Sequence, residues 1–240
     1  MLAPRPVPSP LAAAAAAVLA AVAGGAPARA GGAPDGGAPP GTLVDAVVAV
    51  VRPPGGEARA VTLSKVAEEG RIALVSRGGI EAAVRPLDAM AMRASLDWYI
   101  DQVLLYEEAV RLKVFEVDRS DALASLARFK EVFARADDYR AFLYDLDITE
   151  EELLGTLRRM LRVRRYLESR LGRIRVSDAE AEAWYRGHAP AYGGAPFAEV
   201  RDLVKARMAD DRVDAETRSL LADLHARSEI RVLYDFSRGG

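Results

Sequence analysis

The sequence predicts a mainly α-helical fold with a small β-sheet, in which a helical lobe is closed by a C-terminal helix and strand. Apolar residues recur at helical spacing over most of residues 86–228. A β-branched run, Leu43 to Arg52, lies near the start, and an alternating segment, Glu229 to Phe236, lies near the end. Because an isolated strand is unstable, we expect residues 230–236 to pair with a hairpin of residues 43–63.

The first thirty residues have the pattern of a secretory signal peptide. Arg5 precedes an apolar run from Leu11 to Ala23, and an A-x-A pattern ends at Ala30. The run has about 13 residues, fewer than the roughly 20 that a spanning helix needs. We therefore expect residues 1–30 to be cleaved after Ala30, with no stable membrane insertion afterwards; a retained anchor is the alternative. Residues 31–41, rich in glycine and proline, are expected to form a flexible linker.

Composition excludes several classes of protein. The 240-residue chain has no cysteine, which excludes a disulfide framework and a lipid-modified cysteine. Its net charge is −2, and loss of residues 1–30 would remove Arg5 and Arg29 but no acid, giving −4. Nucleic-acid binders concentrate positive charge, so nucleic acid is not an expected partner.

A hairpin and a first helix are predicted after the signal peptide and linker of residues 1–41. The run ending at Arg52 stops at a Pro-Pro-Gly-Gly loop, and a return strand is expected from Arg59 to Leu63. Ser64 is predicted to cap a helix that ends at Gly78-Gly79. A third strand at residues 71–76 is the alternative, and we favour the helix.

The clearest helical pattern begins at Pro86. Its apolar residues recur at steps of four and three, which predicts a core helix, although a short coiled coil has the same spacing. A further helix is expected from Ser120 to Ala136 and a short one from Asp138 to Asp145. The apolar stripe of the first of these helices comprises Met92, Leu96, Tyr99, Val103, Tyr106 and Val110.

Two capping boxes predict the starts of two later helices. Thr149 with Glu152 indicates a helix from Glu150 to about Leu171, and Ser177 with Glu180 indicates a second, shorter helix. A Gly-Pro turn then leads into a last helix over residues 197–228.

Several segments resemble the SurA/PrsA/PpiC family of exported folding factors. SDAEAEAWY, from Ser177, resembles the segment that leads into that family's isomerase domain, and PFAEVRDLV, from Pro196, resembles the segment that follows it. VDAVVAVV with VTLSKV, SLDWYIDQVLLYEEAVRLKV and EELLGTLRRMLRVRRYLESRL resemble the family's opening hairpin, a core helix and the long helix before the isomerase insertion. The resemblance covers roughly residues 43–236.

The isomerase domain itself has no counterpart in the sequence. Only Gly193, Gly194 and Ala195 separate Tyr192 from Pro196, whereas a parvulin domain needs about 90 residues. The resemblance therefore implies a SurA N-terminal-like region without enzymatic activity, with residues 42–176 and 177–240 forming one chaperone module.

The function implied by this resemblance is that of a periplasmic, PpiC-like holdase in protein folding and outer-membrane biogenesis. Its expected partners are unfolded or extended envelope and outer-membrane polypeptides. A dedicated interaction subunit of an envelope or secretion assembly is the main alternative, and residual prolyl isomerase activity is the other.

No catalytic residue, metal ligand or cofactor is predicted. His188 and His225 have no second ligand at metal-binding spacing. Glu150, Glu151 and Glu152 complement a helix dipole. The arginines of residues 158–170 are expected to form a solvated helix face paired with Asp and Glu, and contacts to phosphate or anionic lipid are the lesser alternative.

The client-binding surface is expected within a pool of methionine and aromatic side chains. Methionine adapts to varied partners, and the pool is larger than short helices usually bury. Most members are nevertheless expected in the core. The pool comprises Met90, Met92, Trp98, Phe115, Phe129, Phe133, Tyr139, Phe142 and Tyr144.

Overall fold

The computed structural model describes residues 45–113, 115–234 and 236. The predicted signal peptide, its cleavage site and the linker at residues 31–41 lie outside the described residues. In the described part the chain is mainly helical, with one three-stranded antiparallel sheet, so the predicted fold class is confirmed.

The elements follow one another with short connections. Single 3₁₀ turns cover Ile80–Ala83 and Ala189–Tyr192. The strands and helices are β1 (Val47–Arg52), β2 (Arg59–Thr62), α1 (Leu63–Ser76), α2 (Ala89–Arg111), α3 (Arg119–Lys130), α4 (Ala136–Asp145), α5 (Glu150–Leu171), α6 (Asp178–His188), α7 (Phe197–Ala226) and β3 (Glu229–Val232).

The sheet closes the two ends of the fold onto each other. Its strand order is β2-β1-β3, and β1 is antiparallel to both neighbours. Val50 lies opposite Ala60 on one side and Arg231 on the other. The predicted pairing of the last strand with the hairpin is therefore confirmed, although β3 ends at Val232 and does not reach Phe236.

The first helix begins two residues earlier than predicted. Thr62, the last residue of β2, accepts a hydrogen bond from the Lys65 amide at 3.4 Å and is the N-cap. The predicted cap, Ser64, instead directs its hydroxyl to the Asp45 carboxylate. The chain passes from strand to helix without a loop, and α1 remains helical through Ser76, which excludes the alternative third strand.

The predicted helix from Ser120 to Ala136 is interrupted. Helix α3 ends at Lys130, and a turn precedes α4. The turn places Phe133 against Phe129 and Phe142, with ring centroids 5.7 and 5.5 Å away. Because the two short helices fold back on each other, this aromatic cluster is buried. In one straight helix over the same residues, the contacts of Phe133 with Phe142 of α4 would be absent.

Both capping boxes are present. Thr149 Oγ1 accepts from the Glu152 amide at 3.2 Å, and Ser177 Oγ accepts from the Glu180 amide at 3.2 Å. After α6 the chain turns through Gly193 and Gly194, whose φ angles of 67° and 71° suit glycine. The predicted junction is thus a helical hairpin of α6 and the first half of α7.

The buried residues form three main clusters. The sheet core joins β1 and β2 to α2 and to the second half of α7, with Val51, Leu104 and Leu224 completely buried. A helical core lies between α1, α3, α4 and α5. The hairpin of α6 and α7 has a small core of its own around Tyr185 and Val204. Helix α7 therefore connects that hairpin to the sheet core.

Candidate functional site

The best candidate binding site is a cavity of about 360 Å³ at one end of the sheet. It lies where β2 runs into α1 and where the chain leaves β3. Most of its lining is apolar. We call it the sheet-end groove, and its lining residues are Leu63, Ala67, Arg71, Pro86, Leu87, Ala89, Met92, Tyr234 and Phe236.

Arg71 fixes one wall of this groove. It is buried and donates to the carbonyl oxygens of Ala82 and Ala83 at 2.7 and 3.0 Å. Its guanidinium also pairs with Asp145 at 2.6 Å and lies 5.6 Å from the Phe142 ring centroid. One side chain therefore holds the segment before α2 against α1 and α4.

The close crossing of α1 and α2 sets the depth of the groove. A Cβ atom placed on Gly70 would lie 2.4 Å from Ser95 Oγ and 3.2 Å from Leu87 Cδ1. Only glycine permits this approach. The spacing brings Leu87 and Met92 beside Leu63 and Ala67.

Exposed apolar side chains flank the groove in sequence. Val84 is 74% exposed and Met90 is 68% exposed, on either side of the lining residues Pro86 and Leu87. Exposed apolar side chains that form a patch are typical of an interaction surface.

The structure distributes the predicted client-binding pool unevenly. Met92 lines the sheet-end groove, and Met90 follows the lining residue Ala89. Trp98 is buried, Phe115 is half-buried, and Tyr144 is 89% exposed on α4. The other four form one aromatic cluster in the helical core: Phe129, Phe133, Tyr139 and Phe142.

A second groove runs between α2 and α5, and we call it the α2–α5 groove. It consists of two cavities, of about 290 and 430 Å³, that share Tyr106 and Arg159. The smaller cavity is lined in part by Trp98, Tyr99, Val103 and Met160. The larger is lined by Tyr106, Glu116, Val117, Gly155, Arg158, Arg159 and Arg162.

A buried carboxylate ties α1 to α5 at the floor of this groove. Glu69 is 3% exposed, lies 3.0 Å from Lys65 Nζ, and accepts from Arg159 and, at 3.3 Å, from Thr156. Burial lowers the pKa of Lys65, but the Glu69 and Glu68 carboxylates raise it by more, so the net change in this pKa is upward. Two cations therefore compensate the buried charge.

The arginines of α5 form the expected solvated, acid-paired face in part: Arg159 pairs with Glu69, and Arg164 is exposed. Arg158 donates to the Val117 carbonyl at 2.7 Å and Arg165 to the Glu116 carbonyl at 3.0 Å. Arg165 also pairs with Asp121. Arg158 and Arg165 thus bind the segment before α3, and Arg159 binds the buried Glu69.

Neither histidine has a metal-site environment. The His188 ring stacks on Trp184 at 3.8 Å, and His225 Nε2 lies 2.6 Å from Asp101 Oδ1. Burial raises the pKa of Asp101, against the lowering effect of its bond to His225. Within residues 45–113, 115–234 and 236, no group of three or more His, Asp or Glu could hold a metal ion.

Sequence reasoning missed several groove residues. Leu87 was placed in the helix predicted from Pro86, but that helix, α2, begins at Ala89 after the N-cap Asp88. Tyr234 and Phe236 were placed in the last strand, and Arg159 was one arginine among several. The alternation of Tyr234 and Phe236 after the last strand was the available signal. Nothing local marked Gly70, because the need for glycine arises from a second helix.

Comparisons with protein-family models, with curated proteins and with solved structures find no match to this chain. The resemblance to the SurA/PrsA/PpiC family therefore stays a prediction from the sequence. Among the described residues, no helix is both long enough and apolar enough to cross a membrane.

Proposed function

We propose that this protein is a periplasmic, non-enzymatic, holdase-like chaperone that binds extended apolar segments of unfolded envelope or outer-membrane proteins. The observation that carries the proposal is the sheet-end groove, a mainly apolar cavity of about 360 Å³; exposed Met90 and Val84 lie close in sequence to its lining residues. The resemblance of residues 43–236 to an exported chaperone region supports the same function.

Apolar burial is the mechanism of binding. A cavity of this size lies within the range of about 300–1,000 Å³ typical of ligand sites, and it holds a few apolar side chains of a client at a time. Met92, which lines the groove, adapts to side chains of different shape, so recognition is broad and each contact is weak. Arg71 and the α1–α2 crossing keep the groove open while clients exchange.

The proposal is tested by aggregation suppression with the purified protein and a chemically unfolded outer-membrane β-barrel. We expect suppression at near-stoichiometric amounts. Ala89→Trp fills the groove from an exposed position and should abolish most of the effect. The matched control is Ala124→Trp, at an exposed position of α3 that lines none of the three cavities described above.

Three results would contradict the proposal. The first is no suppression, and the second is equal suppression by the Ala89→Trp and Ala124→Trp proteins. The third is a single folded partner recovered from envelope extract without general suppression, which would favour a dedicated interaction subunit.

A further inference from the structure

The outer edge of β3 is a free edge of the sheet. In the strand order β2-β1-β3, β1 is the single strand neighbour of β3 among the described residues. The side chains at the end of this edge are exposed, Val232 by 41% and Leu233 by 52%. The unpaired backbone groups of such an edge can pair with a further strand.

The register shows which backbone groups of β3 point outward. The pairing of β3 with β1 continues to Leu233, whose amide donates to the Val48 carbonyl at 2.8 Å. Hydrogen-bonded and non-hydrogen-bonded pairs alternate along an antiparallel ladder. The N–H and C=O groups of Arg231 therefore face β1, and those of Ile230 and Val232 face away from it. Within the described part of the chain, these outward groups have no other backbone partner.

The same register shows which side chains of β3 share the core face of the sheet. Ile230 lies opposite Val51, which is completely buried. Val232 lies opposite Ala49, which is also completely buried. Arg231, between them, is exposed on the other face. A strand added beside β3 would likewise have one face on the core side and one in solvent, which favours alternating apolar and polar residues.

The β3 edge is continuous with the sheet-end groove. Tyr234 is two residues beyond Val232, about 7 Å along an extended chain, and it lines the groove together with Phe236. The rings of Tyr234 and Phe236 are 4.9 Å apart, and Ile230 packs with Phe236 on the sheet core. An extended segment paired with β3 therefore reaches the groove at one end.

The opposite edge of the sheet, on β2, is less suited to an added strand. Ala60 is opposite Val50, whose backbone groups face β3, so the groups of Ala60 point outward. This edge is bounded by helices at both ends, because Arg59 pairs with Glu107 of α2 at 2.7 Å and Thr62 caps α1.

A second copy of the chain also fits the β3 edge less well than a separate extended segment does. Strand β3 has four residues, and two such strands side by side bury far less than the roughly 1,200 Å² of a stable interface. A segment that continues into the sheet-end groove buries additional apolar side chains there.

We propose that the outer edge of β3 binds an extended polypeptide segment of alternating apolar and polar residues as an additional antiparallel strand. Its backbone bonds to the outward groups of Ile230 and Val232, and its apolar side chains lie on the core face. The proposal rests on the proposed function, since the segment belongs to an unfolded client, and it specifies the conformation in which the client is bound. Main-chain hydrogen bonds do not depend on the side chains of the client, which suits broad recognition.

The test is an NMR titration of the full chain with N-acetyl-Gln-Val-Thr-Val-Thr-Val-Gln-amide and two N-methylated forms of this peptide. One form is methylated at the three valine amides, and the other at the amides of both threonines and the last glutamine. In an antiparallel added strand, the residues that bond to Ile230 and Val232 also share their face. The valines therefore supply these bonds. Methylation of the valine amides should weaken binding about tenfold or more, and the other methylation should have little effect.

Two proline variants locate the added strand. Val232→Pro removes an outward N–H without removing a hydrogen bond to β1, a position at which a sheet tolerates proline. It should weaken binding about tenfold or more, while slow hydrogen exchange of the Leu233 amide shows that β3 remains paired. Ala60→Pro is the same change on the β2 edge and should leave peptide binding unchanged. In the wild type, bound peptide should slow hydrogen exchange of the Ile230 and Val232 amides.

Equal affinity of the three peptides would overturn the proposal, as would absence of binding, equal loss in both methylated forms, or loss in the threonine form alone. Loss of binding in Ala60→Pro but not in Val232→Pro would place the peptide on β2 and overturn it as well. Changes in the β3 amide signals with protein concentration, without peptide, would show pairing with a second copy instead. Aggregation suppression without the methylation pattern would overturn strand addition alone, and the methylation pattern without suppression would overturn the holdase function alone.

Discussion

At the scale of single residues, Gly70 permits the crossing of α1 and α2 that shapes the sheet-end groove. A methyl group at this position would overlap both Oγ and Cβ of Ser95, at 2.4 and 2.7 Å. Ser95 is completely buried, and its Oγ has no hydrogen-bond partner among the described residues. The Ser95 side chain therefore has no room to move away from an added methyl group.

Gly70→Ala should therefore destabilise the protein by about 1–3 kcal/mol, the usual cost of overpacking a core. Alanine is the better helix former by about 1 kcal/mol, so propensity alone predicts the opposite sign. Chemical denaturation with helical circular dichroism measures the difference.

Gly155→Ala is the matched control. It is the same change within α5, where the nearest atom to an added Cβ is Arg159 Nη1 at an ordinary 3.8 Å. We expect a gain of about 0.5–1 kcal/mol. If both variants changed stability in the same direction, steric contact at the α1–α2 crossing would not be the reason that glycine occupies position 70.

At the scale of elements, the capping box of α6 makes the stability of the helical hairpin dependent on pH. Hydrogen bonds from the Ser177 amide and hydroxyl, and then from Arg212, lower the pKa of Glu180 from 4.5 to about 2. A carboxyl group whose folded pKa is depressed stabilises the protein above its unfolded pKa, and this contribution is lost as the pH falls through the folded value.

Glu180→Ala should accordingly destabilise the protein at neutral pH. The difference from the wild type should shrink as the pH falls from about 4.5 to about 2, since protonation removes the same interaction from the wild type. Thermal unfolding at a series of pH values measures it. Glu182→Ala, at an exposed position of the same helix, should have little effect throughout. A Glu180→Ala deficit that stays constant down to pH 2 would contradict the assignment.

At the scale of the whole molecule, β3 closes the fold. It pairs with β1 from Arg52 opposite Glu229 to Ala49 opposite Val232, and Ile230 and Phe236 pack on the sheet core. Without this strand, β1 would lose one of its two neighbours and Phe236 would no longer cover one end of the sheet-end groove.

A chain that ends at Ser228 should thus lose about 4 kcal/mol or more of stability, since removal of one buried aromatic side chain alone costs about 3–5 kcal/mol. It should also lose aggregation suppression. A chain that ends at Phe236 keeps every described contact and serves as the control. Equal stability of the two chains in urea titration would show that the terminal strand is dispensable.

Much of the fold could be predicted because its signals are local. A capping box spans four residues, so Thr149 with Glu152 and Ser177 with Glu180 identified two helix starts correctly. Thr62 and Ser64 show where local signals end. Both hydroxyl residues can cap a helix. Ser64 donates its hydroxyl to the Asp45 carboxylate, and Thr62 accepts from the Lys65 amide and is the N-cap.

The candidate sites were predicted less well than the fold. The composition identified methionine and aromatic residues as a pool, but periodicity could not separate Met92 at the groove from Phe129 and Phe142 in the core. The arginines of α5 were recognised as a set, whereas the contacts of Arg158 to Val117 and of Arg165 to Glu116 span 41 and 49 residues of the chain.

The sequence by itself determined the mainly helical class, the two helix starts marked by capping boxes and the return of the last strand to the first, because each depends on neighbouring residues or on the need of an edge strand for a partner. The tertiary structure alone decided the helix crossing at Gly70, the pairing of Glu69 with Lys65 and Arg159, and the two grooves. These features arise where side chains distant in sequence meet, and their distances depend on packing that no local pattern encodes.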